Sequence, residues 1–225
     1  MSFKAILDFL IPRCCAACAA PSQNALCHPC LMALPWLDPT HSHRSKHPAL
    51  SATFAPLAFS EEVRKWILRF KYPAPGITNL DSEAKAVALF LARTTSDRVG
   101  PPAPDYVIPI PSHPGRFRER GFDPTYPLAS EMANRKGARL QPGAIKRIRY
   151  TEPQADLDAQ KRIANVSGAF ITSPRHLPKE GHIWLVDDVI TTGATLAEAA
   201  RCLYRAGLKD IRGVCVARTV YRNDS

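Results

Sequence analysis

Ile183-Trp184-Leu185-Val186-Asp187-Asp188-Val189-Ile190-Thr191-Thr192-Gly193-Ala194-Thr195 begins with four continuously apolar residues. That pattern belongs to a strand buried on both faces at the centre of a parallel sheet. Two adjacent carboxylates end the strand, and a hydroxyl-rich turn with one glycine follows. A helix then begins, striped on one face by Leu196, Ala199, Ala200 and Leu203. In an open α/β sheet, ligands bind at the carboxyl ends of the strands. There the backbone N–H groups of Thr191, Thr192, Gly193, Ala194 and Thr195, with the positive end of the helix, make a cradle for a phosphate. Gly193 permits close approach of the backbone, and the threonine hydroxyls add donors. Asp187 and Asp188 can accept hydrogen bonds from a sugar diol, so the whole fits a ribose 5-phosphate. The Gly-Lys-Ser/Thr of a nucleotide P-loop is missing, which excludes a Walker site. The plainer alternative is a pair of acids that only caps a turn, a costly placement with no evident packing use.

Outward from this stretch, Ile211 to Val216 gives the next strand, and Tyr106-Val107-Ile108-Pro109-Ile110 is a short apolar strand entering a basic loop. A helix is expected from about Pro124 to Arg135, and strands at Ile145 to Tyr150 and Gly168 to Thr172. Nearer the front, Thr53 to Phe59 reads as a strand weakened by Pro56. Ser60 caps a helix with Glu61 and Glu62 at its positive end and Arg69 and Lys71 at its negative end. Its Val63, Trp66, Ile67 and Phe70 recur at helical spacing, so one face is buried. Residues 72–80 break the chain, and a second amphipathic helix carries Ala84, Val87, Ala88 and Leu91 on one face. The alternation predicts an α/β fold with a mostly parallel sheet. The 225 residues suit one domain with a small appendage: a front of residues 1–50 with its linker, and a main domain of residues 51–225.

Composition narrows the class. Apolar residues at 45% and charged residues at 22% fit a folded globular chain. The 21 prolines exclude a coiled coil or simple helical bundle. No apolar run approaches the roughly 18–20 residues that cross a bilayer, so no membrane insertion is expected. The opening MSFKAILDFLIPRCC fails as an export signal, because Asp8 breaks its apolar stretch and Pro12-Arg13 stand where a cleavage site needs small residues. A cytoplasmic location is the expectation. The net charge of +10 favours anionic partners, although a basic surface that only aids solubility reads the same way.

Cys15-x2-Cys18 and Cys27-x2-Cys30 are two pairs separated by turn residues Pro21-Ser22-Gln23-Asn24. Four thiolates around one point make a tetrahedral zinc site with no open position, hence structural rather than catalytic. Disulfides are the alternative, and a cytoplasmic chain disfavours them. Cys14 also allows a Cys14-x3-Cys18 pairing, while His28 reads as a bystander. Cys202 and Cys215 sit in apolar contexts as core residues.

Arg116, Arg118 and Arg120 alternate in the segment after the strand at Tyr106–Ile110, beside His113 and a Pro-Gly turn. They suit a clamp on a pyrophosphate through charge-assisted hydrogen bonds. A solvated basic loop or a nucleic-acid contact is the alternative. The polar residues 151–162 suit a flap that excludes water.

Residues 183–195 resemble the phosphoribosyl-pyrophosphate (PRPP) motif of type I phosphoribosyltransferases: apolar residues, two acids, an apolar pair, then T-T-G-x-T. Pro109-Ile110-Pro111 through Arg116, Arg120, Gly121 and Phe122 is similar to a P-x-P-x-x-x-x-R-x-x-x-R-G-F run of the ComF competence family. Thr151, Gln154, Leu157, Arg162 and Asn165-Val166-Ser167-Gly168-Ala169-Phe170 resemble a second run of that family, and the cysteine pairs and Phe70-Lys71-Tyr72 fit its layout. Asp123-Pro124 departs from it, since the family has Asn-Gln after Gly-Phe. The resemblance implies a type I phosphoribosyltransferase fold with an N-terminal zinc ribbon, and binding of PRPP with Mg²⁺. It implies transfer of ribose 5-phosphate to a nitrogen nucleophile, a nucleobase or an amine. Asp187 and Asp188 would hold the ribose hydroxyls and residues 191–195 the 5-phosphate. His113, Arg116, Arg118 and Arg120 would hold pyrophosphate, with Thr151, Gln154, Arg162 and Asn165 in the flap. It also implies a link to DNA uptake in natural transformation, with single-stranded DNA and a DNA-uptake helicase as candidate partners. Two non-catalytic readings stand beside it: a single-stranded-DNA binder, with Arg44, Lys46 and His47 of the linker contributing, and a PRPP sensor.

Overall fold

A computed structural model of the chain describes residues 14–38, 47–72, 83–150 and 166–220. In chain order the elements are α1 (His28–Met32), β1 (Ala52–Phe54), β2 (Leu57–Ala58), α2 (Glu61–Lys71), α3 (Glu83–Arg98), β3 (Tyr106–Pro109), α4 (Pro114–Arg120), α5 (Thr125–Lys136), β4 (Arg139–Leu140), β5 (Ile145–Arg147), β6 (Phe170–Thr172), β7 (Ile183–Ile190), α6 (Ala194–Arg205) and β8 (Ile211–Arg218). The main sheet runs β1-β8-β7-β3-β4, with β2 also on β8, and every pairing in it is parallel. β5 and β6 form a separate antiparallel pair. The α/β fold with a mostly parallel sheet is therefore as the sequence predicts.

Alternation along β7 divides the interior into two cores. Ile183 and Leu185 join Ile108, Ile211 and the α6 stripe of Leu196, Ala199, Ala200 and Leu203. Trp184 and Val186 join Val107, Val214 and the buried faces of α2, α3 and α5. Gly213 on β8 shows how closely α6 lies on the sheet: a Cβ there would stand 3.1 Å from Leu196 Cδ1.

The Ser60 hydroxyl accepts the Val63 N–H and caps α2 as expected, burying Val63, Ile67 and Phe70 and leaving Trp66 half-buried. Four local expectations change. Thr53–Phe59 is two short strands broken at Ala55-Pro56, because proline has no N–H to give the ladder. β7 continues through both aspartates to Ile190, since β8 extends to Arg218 and keeps pairing with it. The strand expected over 145–150 stops at Arg147, where its pairing with Phe170 ends. The basic loop is a helix, α4: Pro114 starts it, His113 Nδ1 accepts the Gly115 N–H at 3.0 Å, and Gly121 at φ +76° ends it. The break read at 72–80 lies, beyond Tyr72, outside the described residues, as do residues 151–165.

The cysteine segment packs on the same core as α2 and α3, through Cys15 and Leu26. Trp36 bridges Leu57, the Leu37 N–H is donated to Pro56, and the Ala58 N–H to Pro35. Among the described residues, no helix is long and apolar enough to cross a membrane.

Candidate functional site

β3 and β7 lie side by side with Pro109 opposite Val186, so the segment after β3 and the acids of β7 meet at one edge of the sheet. Asp188 takes the side of Trp184 and Val186, towards α2, and is 5% exposed. Its Oδ2 lies 2.5 Å from Lys71 Nζ, at the last residue of α2. Asp187, half-buried on the opposite side, accepts the Asp188 N–H at 2.9 Å. Burial and the neighbouring Asp188 charge push its carboxyl up to about 7, while Lys71 and Arg147 pull the other way. Cys215 stands opposite Asp187 in the register, and burial raises its thiol well above the usual range, reinforced by the two aspartates. A thiol so placed is inert packing.

Thr191, Thr192 and Gly193 make the turn between β7 and α6, with Gly193 at φ +77°. Thr192 Oγ1 accepts the Ala194 N–H at 3.4 Å, so the hydroxyl-rich turn leads directly into the 12-residue α6.

The arginine trio is split by its helix. Residues four apart share a face and residues two apart do not, which groups Arg116 with Arg120 and sets Arg118 aside. Arg116 lies 5.6 Å from the Tyr150 ring centre, and Tyr150 meets the His113 ring edge-on at 5.2 Å. Arg120 donates to the Tyr72 hydroxyl and lies 4.4 Å from that ring's centre. Arg118 instead donates to the carbonyl of Pro114 within its own helix. The Asp123-Pro124 departure has a structural use. Asp123 accepts the N–H of Ser112 at 2.8 Å and the N–H and hydroxyl of Thr125 at 3.2 and 2.9 Å, pinning the segment after β3 to the start of α5.

Two side chains at this edge escaped sequence reasoning. In the sequence Lys71 reads as a helix-end charge within Phe70-Lys71-Tyr72, and nothing local points to its contact with Asp188. Arg147, at the end of β5, is half-buried with its guanidinium 5.4 Å from the Phe170 ring centre. Burial lowers its pKa, Asp187 and Asp123 attract it and Arg116 repels it, so it belongs to the same charged cluster. The available signal is a short strand candidate carrying Lys146, Arg147 and Arg149 just before the Thr151–Gln154 run. Thr151, Gln154, Arg162 and Asn165 lie outside the described residues. Just after them, the Gly168 N–H is donated to Glu198 Oε1 at 2.7 Å, and Arg201 holds Glu198 in turn.

The sulfurs of Cys15, Cys18, Cys27 and Cys30 all lie within 4.8 Å of one another. The cluster consists of the two symmetric pairs, and Cys14, whose backbone pairs with Pro21, is not part of it. Tetrahedral zinc with bonds of about 2.3 Å sets its sulfurs about 3.8 Å apart, and Cys18 and Cys27 are 3.7 Å apart. The donor set fits a metal ion such as zinc. Burial opposes ionisation of Cys15, but backbone hydrogen bonds from Cys27, Ala17 and Cys18 outweigh it and bring the thiol to about 6. Cys30 is pushed up to about 12 by hydrogen bonding with Cys18 and Cys27.

Residues 124–224 match the phosphoribosyl transferase domain family. The chain is 30% identical over 216 residues to the DNA utilization protein YhgH of Escherichia coli O6:H1, covering 92% of this chain and 90% of that protein. It is 36% identical over 122 residues to the YhgH of Salmonella typhi, covering 54% and 52% respectively. Competence protein F of Haemophilus influenzae is 32% identical over 117 residues, covering 51% of each. These alignments span about half the length of the Salmonella and Haemophilus relatives and nine-tenths of the Escherichia one. With a relative matched almost end to end and the parallel sheet and turn described above, the chain belongs to the ComF family of proteins with a type I phosphoribosyltransferase-like fold.

Proposed function

We propose that the chain binds PRPP with Mg²⁺ and transfers its ribose 5-phosphate to a nitrogen nucleophile, a nucleobase or an amine. The observation that carries this reading is the junction of β7 and α6, where an acid pair and the Thr-Thr-Gly turn stand together beside the arginine helix α4. In this reading Asp187 and Asp188 accept the ribose hydroxyls, and residues Thr191 to Thr195 hold the 5-phosphate. His113, Arg116 and Arg120 face the pyrophosphate, with Arg118 a weaker participant, and Arg147 joins them. Mg²⁺ would bind pyrophosphate oxygens, its usual preference, and neutralise the leaving group. The C1–O bond breaks and pyrophosphate leaves with the electron pair. The nitrogen lone pair forms the C1–N bond, and the nitrogen's proton passes to solvent. The acid pair opposes the positive charge that develops on the ribose, so positioning and electrostatics suffice without a covalent nucleophile. The four-cysteine front, residues 1–50, would hold structural zinc, and residues 51–225 would be the phosphoribosyltransferase-like domain. The reading is tested by calorimetry with PRPP, with and without Mg²⁺, on the wild type and an Asp187→Asn/Asp188→Asn double variant. Mg²⁺-dependent binding that the variant loses supports it; absence of binding by folded wild type overturns it.

A second reading is favoured by the rim of the same site. Exposed Tyr72, Phe117 and Tyr150 alternate there with arginines, a combination that stacks bases and neutralises phosphates. The relatives named for DNA utilization and competence point the same way. Binding of single-stranded DNA that weakens steeply with salt, without pyrophosphate release, would support this non-catalytic role.

A further inference from the structure

The last two residues of α2 and Tyr72, which follows it, reach three separate parts of the site. Phe70 packs edge-on against Phe122 with ring centres 5.7 Å apart, Lys71 reaches Asp188, and Tyr72 reaches Arg120. The end of α2 therefore lies against the site, with an aromatic contact from the residue on either side of Lys71. The ion pair is secluded: the side chains of Lys71 and Asp188 are 23% and 8% exposed. A carboxylate so buried is costly without a partner, and the partner here comes from a different element.

We infer that Lys71 is a positioning residue of the ribose site, an internal counter-cation that α2 delivers to Asp188 to hold that carboxylate in place and to offset the negative charge of the acid pair. This rests on the ribose-binding reading of the acid pair. A helix-end lysine that only complemented the helix dipole would extend into solvent; this one turns onto the strand. Among the described residues, the groups facing the acid pair are Lys71 from α2, Arg147 from β5 and the neutral thiol of Cys215 from β8. Two close carboxylates resist double ionisation, and an opposing charge within about 4–6 Å offsets that by about one to three pH units. Lys71 also pulls the Asp187 carboxyl down, so removing it moves the titration of Asp187 upwards, and a ligand that needs Asp187 charged binds only at higher pH.

The experiment is a carbon-13 carboxyl titration of Asp187 and Asp188 in the ligand-free full-length protein, as wild type, Lys71→Met and Lys71→Arg. Beside it, the affinity for ribose 5-phosphate is measured from pH 6 to 9. In Lys71→Met the Asp187 midpoint rises by about one pH unit or more, and affinity at pH 7 falls about tenfold but recovers towards pH 9. Lys71→Arg, which keeps the charge, restores most of the shift and serves if Lys71→Met folds poorly. An unmoved titration in Lys71→Met, or an affinity loss that is equal at every pH, overturns the assignment. A wild type that binds no ribose 5-phosphate at any pH overturns the ribose reading instead, and the carboxyl titration reports on Lys71 by its own signal.

Discussion

The Arg98 guanidinium lies 3.9 Å from the centre of the Trp36 ring, and the Trp36 indole N–H is donated to the Leu31 carbonyl at 2.8 Å. Together they fasten the cysteine segment, through α1, to the last turn of α3. Cys15 and Leu26 sit in the same core as Val63 and Ile67 of α2, so the four-cysteine front is continuous with the helix whose end reaches Asp188.

Cys27→Ser is expected to release zinc and lower the melting temperature, because a segment this short holds its shape through its metal. Trp36→Ala should instead keep zinc while costing about 2 kcal/mol of packing. Metal content by mass spectrometry, read beside thermal melts, separates the two. Stoichiometric zinc in Cys27→Ser would remove Cys27 from the ligand set.

Gly193 sits at φ +77°, and a Cβ there would find only Ile190 Cγ2 at 4.0 Å. Any penalty for Gly193→Ala is therefore conformational rather than steric, about 1–2 kcal/mol. The turn that relaxes is the proposed phosphate cradle, so ribose 5-phosphate should bind roughly tenfold more weakly, the equivalent of about 1.4 kcal/mol. Gly100, with ordinary backbone angles and nothing within 4 Å, is the control: Gly100→Ala should leave both urea stability and affinity unchanged. Equal effects at the two glycines would contradict the argument.

The β7–turn–α6 unit was readable because each of its signals is local: a continuous apolar run, adjacent acids, a glycine where φ must be positive and a helical stripe. The helical character of α4 was obscured by three alternating arginines that suggest an extended loop, although Pro114 and Gly121 bracket the segment as a helix start and stop. Lys71 and Arg147 were hidden for a different reason. Their partners lie 117 and 40 residues further along the chain (188 − 71 and 187 − 147). No periodicity reports which strand end a distant charge will meet. Asp123 looked like a mere departure from a family pattern until its hydrogen bonds to Ser112 and Thr125 showed it bracing the segment that carries α4.

The helix also ranks the arginines. Arg116 and Arg120 share a flank and reach Tyr150 and Tyr72, whereas Arg118 turns back on Pro114. Arg116→Gln and Arg120→Gln should each weaken PRPP binding by tenfold or more, since a charge-assisted contact contributes roughly 1.5–3 kcal/mol. Arg118→Gln should change it less than threefold. Arg147→Gln should behave like the first pair. Calorimetric titration with PRPP and Mg²⁺ checks all four; the largest loss at Arg118 would mean that α4 presents its other flank to the ligand.

Asp187 gives stability and ligand affinity opposite pH dependences. Its carboxyl is raised from 3.8 to about 7 by burial and by Asp188. A group whose folded pKa lies above its unfolded value stabilises the fold fully below the unfolded pKa and loses that contribution as pH rises through the folded one. Its share of stability should therefore decline between about pH 4 and pH 7. At about 1.36 kcal/mol per unit, reduced because the residue is partly open to solvent, Asp187→Asn should be more stable than wild type at pH 8 by on the order of 1–3 kcal/mol. The two should coincide near pH 4. Over the same interval the wild type gains the ionised carboxylate that, in the proposed reading, accepts a ribose hydroxyl, so affinity for ribose 5-phosphate should climb while this part of the stability falls. Denaturant melts of both proteins at pH 4.5, 6 and 8 read the first trend, and calorimetry reads the second. A stability difference between variant and wild type that is flat across that range would show that Asp187 ionises at an ordinary carboxylate pH, and the predicted rise in affinity through pH 7 would go with it.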